Sequence, residues 1–450
     1  MLLRPGKREN GIRKKLFQRF SFTISILPLM RIVYLLVPVF LLLAAMSARE
    51  KPGNDDYRKE INELYLLRLN EFKGVLISMK SSASAGAPAK DLRHSFEKLR
   101  LTYKKLSVIT DYFNPLETKL WNSPAIPRVE EGSPRVVIDP HGFQKLEELV
   151  WEKLPDQDMI QKELQYLQGI VEMLEHEPDR LNKFRNELVW DALYTGLIRM
   201  ITLGISGFDS PVALLSLKES NAVLDGISEI LEVYSKESGK KEGTGIPLIQ
   251  EKLREAQRFL RDHPDFNGFD RLTFIREYIN PVSRLIKECA KQLNYMLPDE
   301  RRSLNPEAQT IFDKSAFDVR FFSPNNRYQL TPERTELGRR LFYDPQLSGT
   351  GSRSCGTCHK PELAFTDGLR LGVALDDHTP LKRNTPTLLN AVFQTRQFYD
   401  SRTTMLEFQV NDVIHNISEM KGMLDTSAKR LRLQETYLQA FQAAYPGERD

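Results

Sequence analysis

The sequence predicts a mainly α-helical protein in two parts: a helical bundle over residues 50–300, then a loop-rich, all-α part over 326–450. Three observations predict it. Apolar residues recur every three or four positions through most of 55–300, and Gly and Pro fall between those stripes rather than within them. After about residue 300 the stripes give way to short helical stretches separated by Pro-, Gly- and Ser-rich turns. Nothing alternates with period two over a useful length, so nothing points to strands.

The elements follow in chain order. The first 31 residues carry eight basic side chains against a single acid, Glu9. Residues 32–46, IVYLLVPVFLLLAAM, form an apolar run of 15 that includes Pro38 and is short for a membrane span. Small residues Ala44, Ala45, Ser47 and Ala48 close it. Basic, apolar, then small is the order of a secretory signal, and Met30 is a second candidate start. Residues 1–48 therefore read as a signal peptide, with an uncleaved N-terminal anchor at 32–46 as the alternative. From Arg49 onward 56 basic residues face 59 acidic ones, a balance that gives no reason to expect nucleic acid as a partner.

Within the bundle, Leu92, Phe96, Leu99, Tyr103, Leu106, Ile109 and Phe113 mark one helix face, and Ile160, Leu164, Leu167, Val171 and Leu174 mark another. Further helices are predicted near 57–79, 141–153, 180–204, 212–236, 246–262 and 269–294. Breaks fall at SASAGAPAKD (82–91), NSPAIPRVEEGSP (122–134), SGFDSP (206–211) and SKESGKKEGTG (235–245). Cys289 lies in a periodic apolar stretch and reads as a small buried hydrophobe. The segment His141-Gly142-Phe143-Gln144-Lys145-Leu146-Glu147 resembles the G-x-H-x-x-E segment of imelysin-like helical proteins, in which a His and a Glu on one helix face would suit iron. Here Gln144 stands in place of that His, and His141 precedes Gly142. The metal site is therefore expected to be missing, and Glu147 to be a solvated residue on an ordinary bundle helix. A linker is placed at 301–325.

Cys355-Gly356-Thr357-Cys358-His359 is C-x-x-C-H. Two thiols at this spacing can add to the vinyl groups of a haem, and the next residue then directs its imidazole at the iron. The bland readings are half of a zinc site or a redox dithiol. Zinc would need two further ligands of matching spacing, and Cys289 is the one cysteine left over. A redox dithiol usually sits in a βαβ setting, which the pattern lacks. One covalent haem c, held through Cys355 and Cys358 with His359 as axial ligand, is the reading favoured.

The flanks add a resemblance. Leu337-Gly338-Arg339-Arg340-Leu341-Phe342-Tyr343-Asp344-Pro345 is followed by the C-x-x-C-H, then by Ala364-Phe365-Thr366-Asp367-Gly368 and by Arg383-Asn384-Thr385-Pro386. Gln397-Phe398-Tyr399-Asp400-Ser401-Arg402 comes next, and Gln409 stands ten residues before Glu419-Met420. These landmarks, in this order, resemble the first haem domain of the bacterial di-haem cytochrome c peroxidases, over about a quarter of the chain. The resemblance implies a cytochrome c-like, peroxidatic haem domain. His359 would be the proximal ligand, Glu419 the distal acid–base group and Gln409 the residue that helps position peroxide. A carboxylate over an otherwise apolar haem face suits the proton transfer that O–O cleavage requires. Read alone, Glu419 is an exposed helix-end acid and Asn384 a turn cap before Thr385-Pro386. The resemblance makes Asn384 a calcium ligand between the family's two haem domains. His378 matches the region from which a resting distal ligand can come, against the reading of an exposed loop His, and His415 lies nearer the distal wall. Tyr399 stands where the family commonly has a bridging Trp, and Tyr still mediates electron transfer.

The implied activity is reduction of hydrogen peroxide to water in the periplasm. The electrons would come from a small donor protein such as a cytochrome or cupredoxin, and a second copy of the chain is a further candidate partner. The alternatives are a single-haem electron carrier, a haem-containing sensor or binding module, and an oxidase of organic or protein substrates. The family's second C-x-x-C-H is not among these 450 residues, and the last stretch, LQETYLQAFQAAYPGERD, reads as a helix still running. The chain is therefore expected to be a fragment that lacks the electron-supplying haem domain.

Overall fold

Long helices form where the stripes predict them. The computed structural model describes residues 57–130, 133–237, 245–295, 297, 302–323 and 328–448. The candidate signal at 1–48 lies outside the described residues, and the linker is described over 302–323. Helix α1 (Arg58–Ser84) buries Ile61, Tyr65, Leu69, Phe72, Leu76, Met79 and Ala83, one residue per turn at spacings of three or four. Helix α2 (Ala89–Phe113) buries the predicted Leu92, Phe96, Leu99, Tyr103, Leu106 and Ile109. Helices α3 (Pro115–Trp121) and α4 (Phe143–Trp151) follow, and then α5 (Gln157–Glu175). The Asp156 carboxylate caps α5 by accepting from Asp158 N and Met159 N at 3.0 and 3.1 Å. Helix α6 (Asn186–Arg199) runs into a π-helical turn at Met200–Gly204, and α7 (Ser216–Glu237), α8 (Ile246–Asp262) and α9 (Asn280–Gln292) complete the bundle.

Helix α2 is central and packs on α1, α4, α6 and α7. One continuous apolar core runs from Tyr57 to Tyr295. Each large side chain fully buried in it is worth roughly 1.5–3 kcal/mol. Cys289 belongs to this core, as its setting predicts, and burial pushes its thiol up to about 11. The Pro- and Gly-containing break at 122–134 holds something the periodicity did not show. It carries a short antiparallel hairpin, β1 (Arg128–Glu130) paired with β2 (Ser133–Ile138). Its strands are too short and too exposed to leave an alternating signature.

A charged network sits at the centre of the bundle. Arg100 Nε and Nη2 donate to the two carboxylate oxygens of Glu219 at 2.6 and 2.8 Å, and both side chains are almost wholly removed from water, at 0% and 1% exposure. Arg100 also donates to Asn122 Oδ1 at 3.0 Å and to the Asp209 carbonyl at 2.9 Å. Lys104 pairs with Asp209, and Asn122 Nδ2 donates to the other Asp209 oxygen at 3.0 Å. Burial alone would raise the Asp209 carboxyl, but Lys104, Arg199 and Arg100 outweigh it and hold the group well below the usual carboxylate range. Glu147, expected to be solvated, is instead 0% exposed. Its Oε1 accepts from Ser210 Oγ at 2.8 Å and from the backbone N–H groups of Val212 and Ala213 at 3.2 and 2.5 Å, so it ties α4 to the turn before α7. Gln144, which replaces the motif His, donates to the Phe208 carbonyl at 2.9 Å in that same region.

The second part begins with α10 (Pro332–Tyr343), capped by Thr331 Oγ1, which accepts from Arg334 N at 3.2 Å. A single turn, α11 (Cys355–Cys358), is followed by α12 (Leu406–His415), α13 (Leu424–Arg432) and α14 (Glu435–Ala444). Helix α14 does not run on as the pattern predicted. It stops at Ala444, ahead of Pro446, whose ring cannot enter a helix interior. A separate small core of Leu337, Leu431, Tyr437 and Ala444 joins α10, α13 and α14. Among the described residues, Val129 N in β1 donates to the Asp400 carbonyl at 3.0 Å, which joins this part to the bundle hairpin, and the Phe393 ring packs between Phe317 and Phe322 of the linker at 5.5 and 5.3 Å. Among the described residues no helix is long and apolar enough to cross a membrane.

The substitution Glu219→Gln leaves Arg100 buried without its full counter-charge. It is expected to lower stability by about 3–5 kcal/mol, read as a fall in the urea midpoint without loss of helical circular dichroism at low denaturant.

Candidate functional site

The attachment turn is built locally. Ser354 N donates to Thr357 Oγ1 at 3.1 Å and Thr357 N returns a bond to the Ser354 carbonyl at 3.1 Å, which winds 354–358 into a single helical turn. Cys355 and Cys358 lie at its two ends, both half-buried and neither in a disulfide. His359 N donates to the Cys355 carbonyl at 2.9 Å and closes the turn. The chain then folds back through two consecutive left-handed residues, Ala364 (φ 54°) and Phe365 (φ 58°). Phe365 N donates to the Lys360 carbonyl at 2.8 Å and Lys360 N to the Thr366 carbonyl at 3.1 Å. This reversal brings the Phe365 carbonyl to 2.9 Å from His359 Nδ1. Nδ1 is thereby the protonated nitrogen, and Nε2 keeps its lone pair for a metal.

These features fit a covalently held haem. The turn offers two free thiols and one imidazole nitrogen, and the imidazole's orientation is already fixed. They do not fit the bland readings. Burial pushes both thiols above the free-thiol value, the opposite of the depressed thiol that marks a redox dithiol. Among the described residues no group of three or more His, Cys, Asp or Glu side chains could hold a metal ion, as a zinc site requires.

Glu419 comes to the attachment turn through two routes. In the first, two glycines allow backbones to touch. A Cβ on Gly349 would lie 1.9 Å from the Lys421 carbonyl oxygen, and one on Gly422 would lie 2.2 Å from the Leu347 carbonyl oxygen. With neither present, Gly349 N donates to the Met420 carbonyl at 2.9 Å. The second route runs through Arg353, two residues before Cys355 and only 5% exposed. Its guanidinium donates to the Val373 and Ala374 carbonyls at 2.9 and 2.5 Å and pairs with Asp377. In that same loop Leu375 N donates to the Ser418 carbonyl at 2.8 Å, next to Glu419. Burial raises the Glu419 carboxyl above its ordinary value, and Arg402 pulls back in part. The carboxylate is close enough for its charge to raise the Cys358 thiol in turn. Asn416 Nδ2 donates to Glu419 Oε1 at 3.1 Å.

The other predicted residues fall as follows. Gln409 is half-buried on α12. Tyr399 is 68% exposed, with the Arg383 guanidinium 4.8 Å from its ring centre. His378 is exposed in the loop that Arg353 holds, where its backbone N–H donates to Asp376 Oδ1 at 3.0 Å. His415 is exposed at the end of α12, with Nδ1 against the Asn411 carbonyl at 2.8 Å. Asn384 is exposed, and among the described residues no cluster of acidic side chains gathers with it. Two residues were missed by sequence reasoning. Arg353 reads as one more basic residue in a Ser-rich turn. Arg402 was noted only as a landmark, yet it bonds Asp400 at 2.9 and 3.0 Å, reaches Asp412 on α12 at 3.3 Å and stacks 3.4 Å from the Phe398 ring centre. It thus ties the Tyr399 strap to the helix that bears Gln409.

Residues 332–450 match the family model described as di-haem cytochrome c peroxidase. This segment belongs to that family. The methylamine utilization protein MauG of Methylorubrum extorquens is 38% identical over 141 residues, 30% of this chain and 40% of the relative. The cytochrome c551 peroxidase of Pseudomonas aeruginosa is 35% identical over 119 residues, 26% of this chain and 34% of the relative. A crystal structure of a MauG-like protein associated with microbial copper homeostasis is 30% identical over 27% of this chain and 36% of that one, with a TM-score of 0.26. The chain thus spans less than half the length of these relatives. The family match begins after the bundle, and the imelysin-like reading of residues 50–300 draws no support from it.

Replacing Arg353 with Met removes the donors that hold the 373–377 loop. The expected result is a loss of about 2–4 kcal/mol in stability, with haem still covalently attached in the pyridine haemochrome assay. Loss of attachment would show that Arg353 shapes the turn itself.

Proposed function

We propose that this chain is a haem c peroxidase that reduces hydrogen peroxide to water with electrons from a small redox protein. The observation that carries the reading is the Glu419 carboxyl, raised by burial and held beside the C-x-x-C-H turn by Gly349, Gly422 and Arg353. A haem held by Cys355, Cys358 and His359 would supply the two electrons that split the O–O bond. The chain's own residues supply the proton traffic and the aim. The Phe365 carbonyl holds the His359 ring with Nε2 outward. Asn416 occupies Glu419 Oε1, which leaves Oε2 to take a proton from one peroxide oxygen and return it to the other. With two electrons and two protons in all, one peroxide leaves as two waters. Gln409, half-buried and with an amide that both donates and accepts, would orient the peroxide. Tyr399, exposed and stacked under Arg383, is the aromatic through which electrons would enter from a donor such as a cytochrome or cupredoxin.

The distal acid separates this reading from a plain electron carrier, which would need a second axial ligand and has no use for a partly buried carboxyl. The basic, apolar, then small order of residues 1–48 supports export to the periplasm.

Glu419→Gln is expected to cut peroxide turnover by about 10²–10⁴-fold while haem content stays the same. In the parent protein the acid limb of kcat/KM should have its midpoint above the ordinary glutamate range, because burial raises the group that must ionise, and the variant should lack that limb. Turnover that is unchanged in the variant would overturn the assignment. The assay uses the chain together with its electron-supplying domain where the native gene encodes one.

A further inference from the structure

We infer that Thr387 is a positioning residue for the His359 imidazole and, through it, tunes the reduction potential of the haem iron. The inference rests on the haem reading of Cys355, Cys358 and His359, and not on peroxide turnover. The local chain explains how Thr387 reaches that ring. Thr385, Pro386 and Thr387 lie outside any helix or strand. A residue before proline is confined to extended backbone, and side chains two apart on extended chain point the same way. Both hydroxyls accordingly enter the loop that follows His359. Thr385 Oγ1 donates to Asp367 Oδ2 at 2.7 Å, and Thr387 Oγ1 donates to the Ala364 carbonyl at 2.6 Å.

The bond to Ala364 falls on the peptide that matters most. Ala364 (φ 54°) and Phe365 (φ 58°) are both left-handed, and neither is glycine. Such a pair relaxes by turning the peptide plane between them, which changes ψ of the first and φ of the second together. That plane is held at both polar ends. Its N–H, on Phe365, donates to the Lys360 carbonyl at 2.8 Å, a bond within the loop itself. Its carbonyl, on Ala364, is held by Thr387 from a segment 23 residues on. The Thr387 hydroxyl is oriented in turn, since Leu389 N donates to the same oxygen at 3.1 Å. The next carbonyl along the chain is that of Phe365, which accepts from His359 Nδ1 at 2.9 Å. A water in place of the hydroxyl would satisfy the Ala364 carbonyl without fixing its direction.

The effect reaches the iron through the imidazole. A backbone acceptor on Nδ1 makes the other nitrogen a more basic ligand, and a more basic ligand favours the ferric state. A slack Phe365 carbonyl weakens that bond and moves the balance toward the ferrous state. Thr387 is exposed, so replacing it opens no cavity in either core.

The test is a potentiometric titration of the full chain with its haem attached, followed in the Soret band. Thr387→Val is expected to keep its haem in the pyridine haemochrome assay and to shift the potential upward. Thr387→Ser, which retains the hydroxyl, is expected to titrate as the parent does. The inference is overturned if Thr387→Val titrates at the parent potential, or if Thr387→Ser is shifted as far as Thr387→Val. It is also overturned if Thr387→Val loses covalent haem, because Thr387 would then shape the attachment turn rather than the ligand. A parent chain that takes up no haem would overturn the haem reading and this inference with it, whereas a haem-loaded parent without peroxide turnover would sink the peroxidase reading alone.

Discussion

The candidate site depends on one hydrogen bond, that between His359 Nδ1 and the Phe365 carbonyl at 2.9 Å. A C-x-x-C-H turn fixes where the imidazole starts but not which nitrogen it offers. That choice is made six residues later, by a chain reversal steep enough to need two left-handed residues in succession, Ala364 and Phe365. Neither is glycine, so both carry the strain of a conformation that side chains disfavour. The strain is held by the bonds on either side. Lys360 pairs with Thr366 across the base of the loop, and Thr387 Oγ1 donates to the Ala364 carbonyl at 2.6 Å from a distant segment. In the proposed haem site, His359 would bind iron with one nitrogen, and its other nitrogen is locked by backbone rather than by water.

In the proposed peroxidase reading, Glu419 meets a different demand. A carboxyl has to stand near the attachment turn, partly out of water, without being neutralised by a direct ion pair. Arg402 lowers the Glu419 carboxyl only in part, because its guanidinium is committed to Asp400, Asp412 and the Phe398 ring. Asn416 gives Glu419 a neutral donor instead of a charged one. What remains is a carboxyl shifted by burial, the kind of group that exchanges a proton nearer neutral pH than a solvated Glu does. The approach of its backbone to the loop before the turn rests on Gly349 and Gly422, where even one methyl group would collide with a carbonyl.

Much of this was legible in the sequence, and the remainder has a common physical cause. The bundle helices could be read because a stripe of apolar residues at helical spacing has few other uses, and the stripe on α2 is buried as read. The C-x-x-C-H turn could be singled out because the chemistry it suggests demands fixed spacing. Polar residues carry no such signature. Arg100 stands among the α2 stripe residues and looks like a solvated neighbour, yet it is buried by Glu219, 119 residues away. Glu147 misled in the same way, since its partners Ser210, Val212 and Ala213 are more than 60 residues distant. Arg353 could not be told from a surface residue, because the carbonyls it holds belong to a loop some 20 residues on. A side chain whose burial is set by a remote backbone leaves no periodic trace in its own neighbourhood.

The relation between the two parts follows from their cores. Among the described residues the bundle core runs through helices α1 to α9, whereas the second part has a small cluster of Leu337, Leu431, Tyr437 and Ala444, with Leu341, Leu347, Ala440 and Tyr445 packed around it. So small a core gives little stability of its own. A backbone bond from Val129 to Asp400, worth about 1 kcal/mol, joins this part to the bundle hairpin, and the two ring contacts of Phe393 with the linker's Phe317 and Phe322 add roughly 0.5–1.5 kcal/mol each. These contacts fall beside one strap. Val129 meets the strap one residue after Tyr399, and Phe393 lies between the Arg383-Asn384 loop and that same strap. The bundle thus braces the strap that carries the exposed aromatic, while the turn that carries the thiols is organised by its own loops.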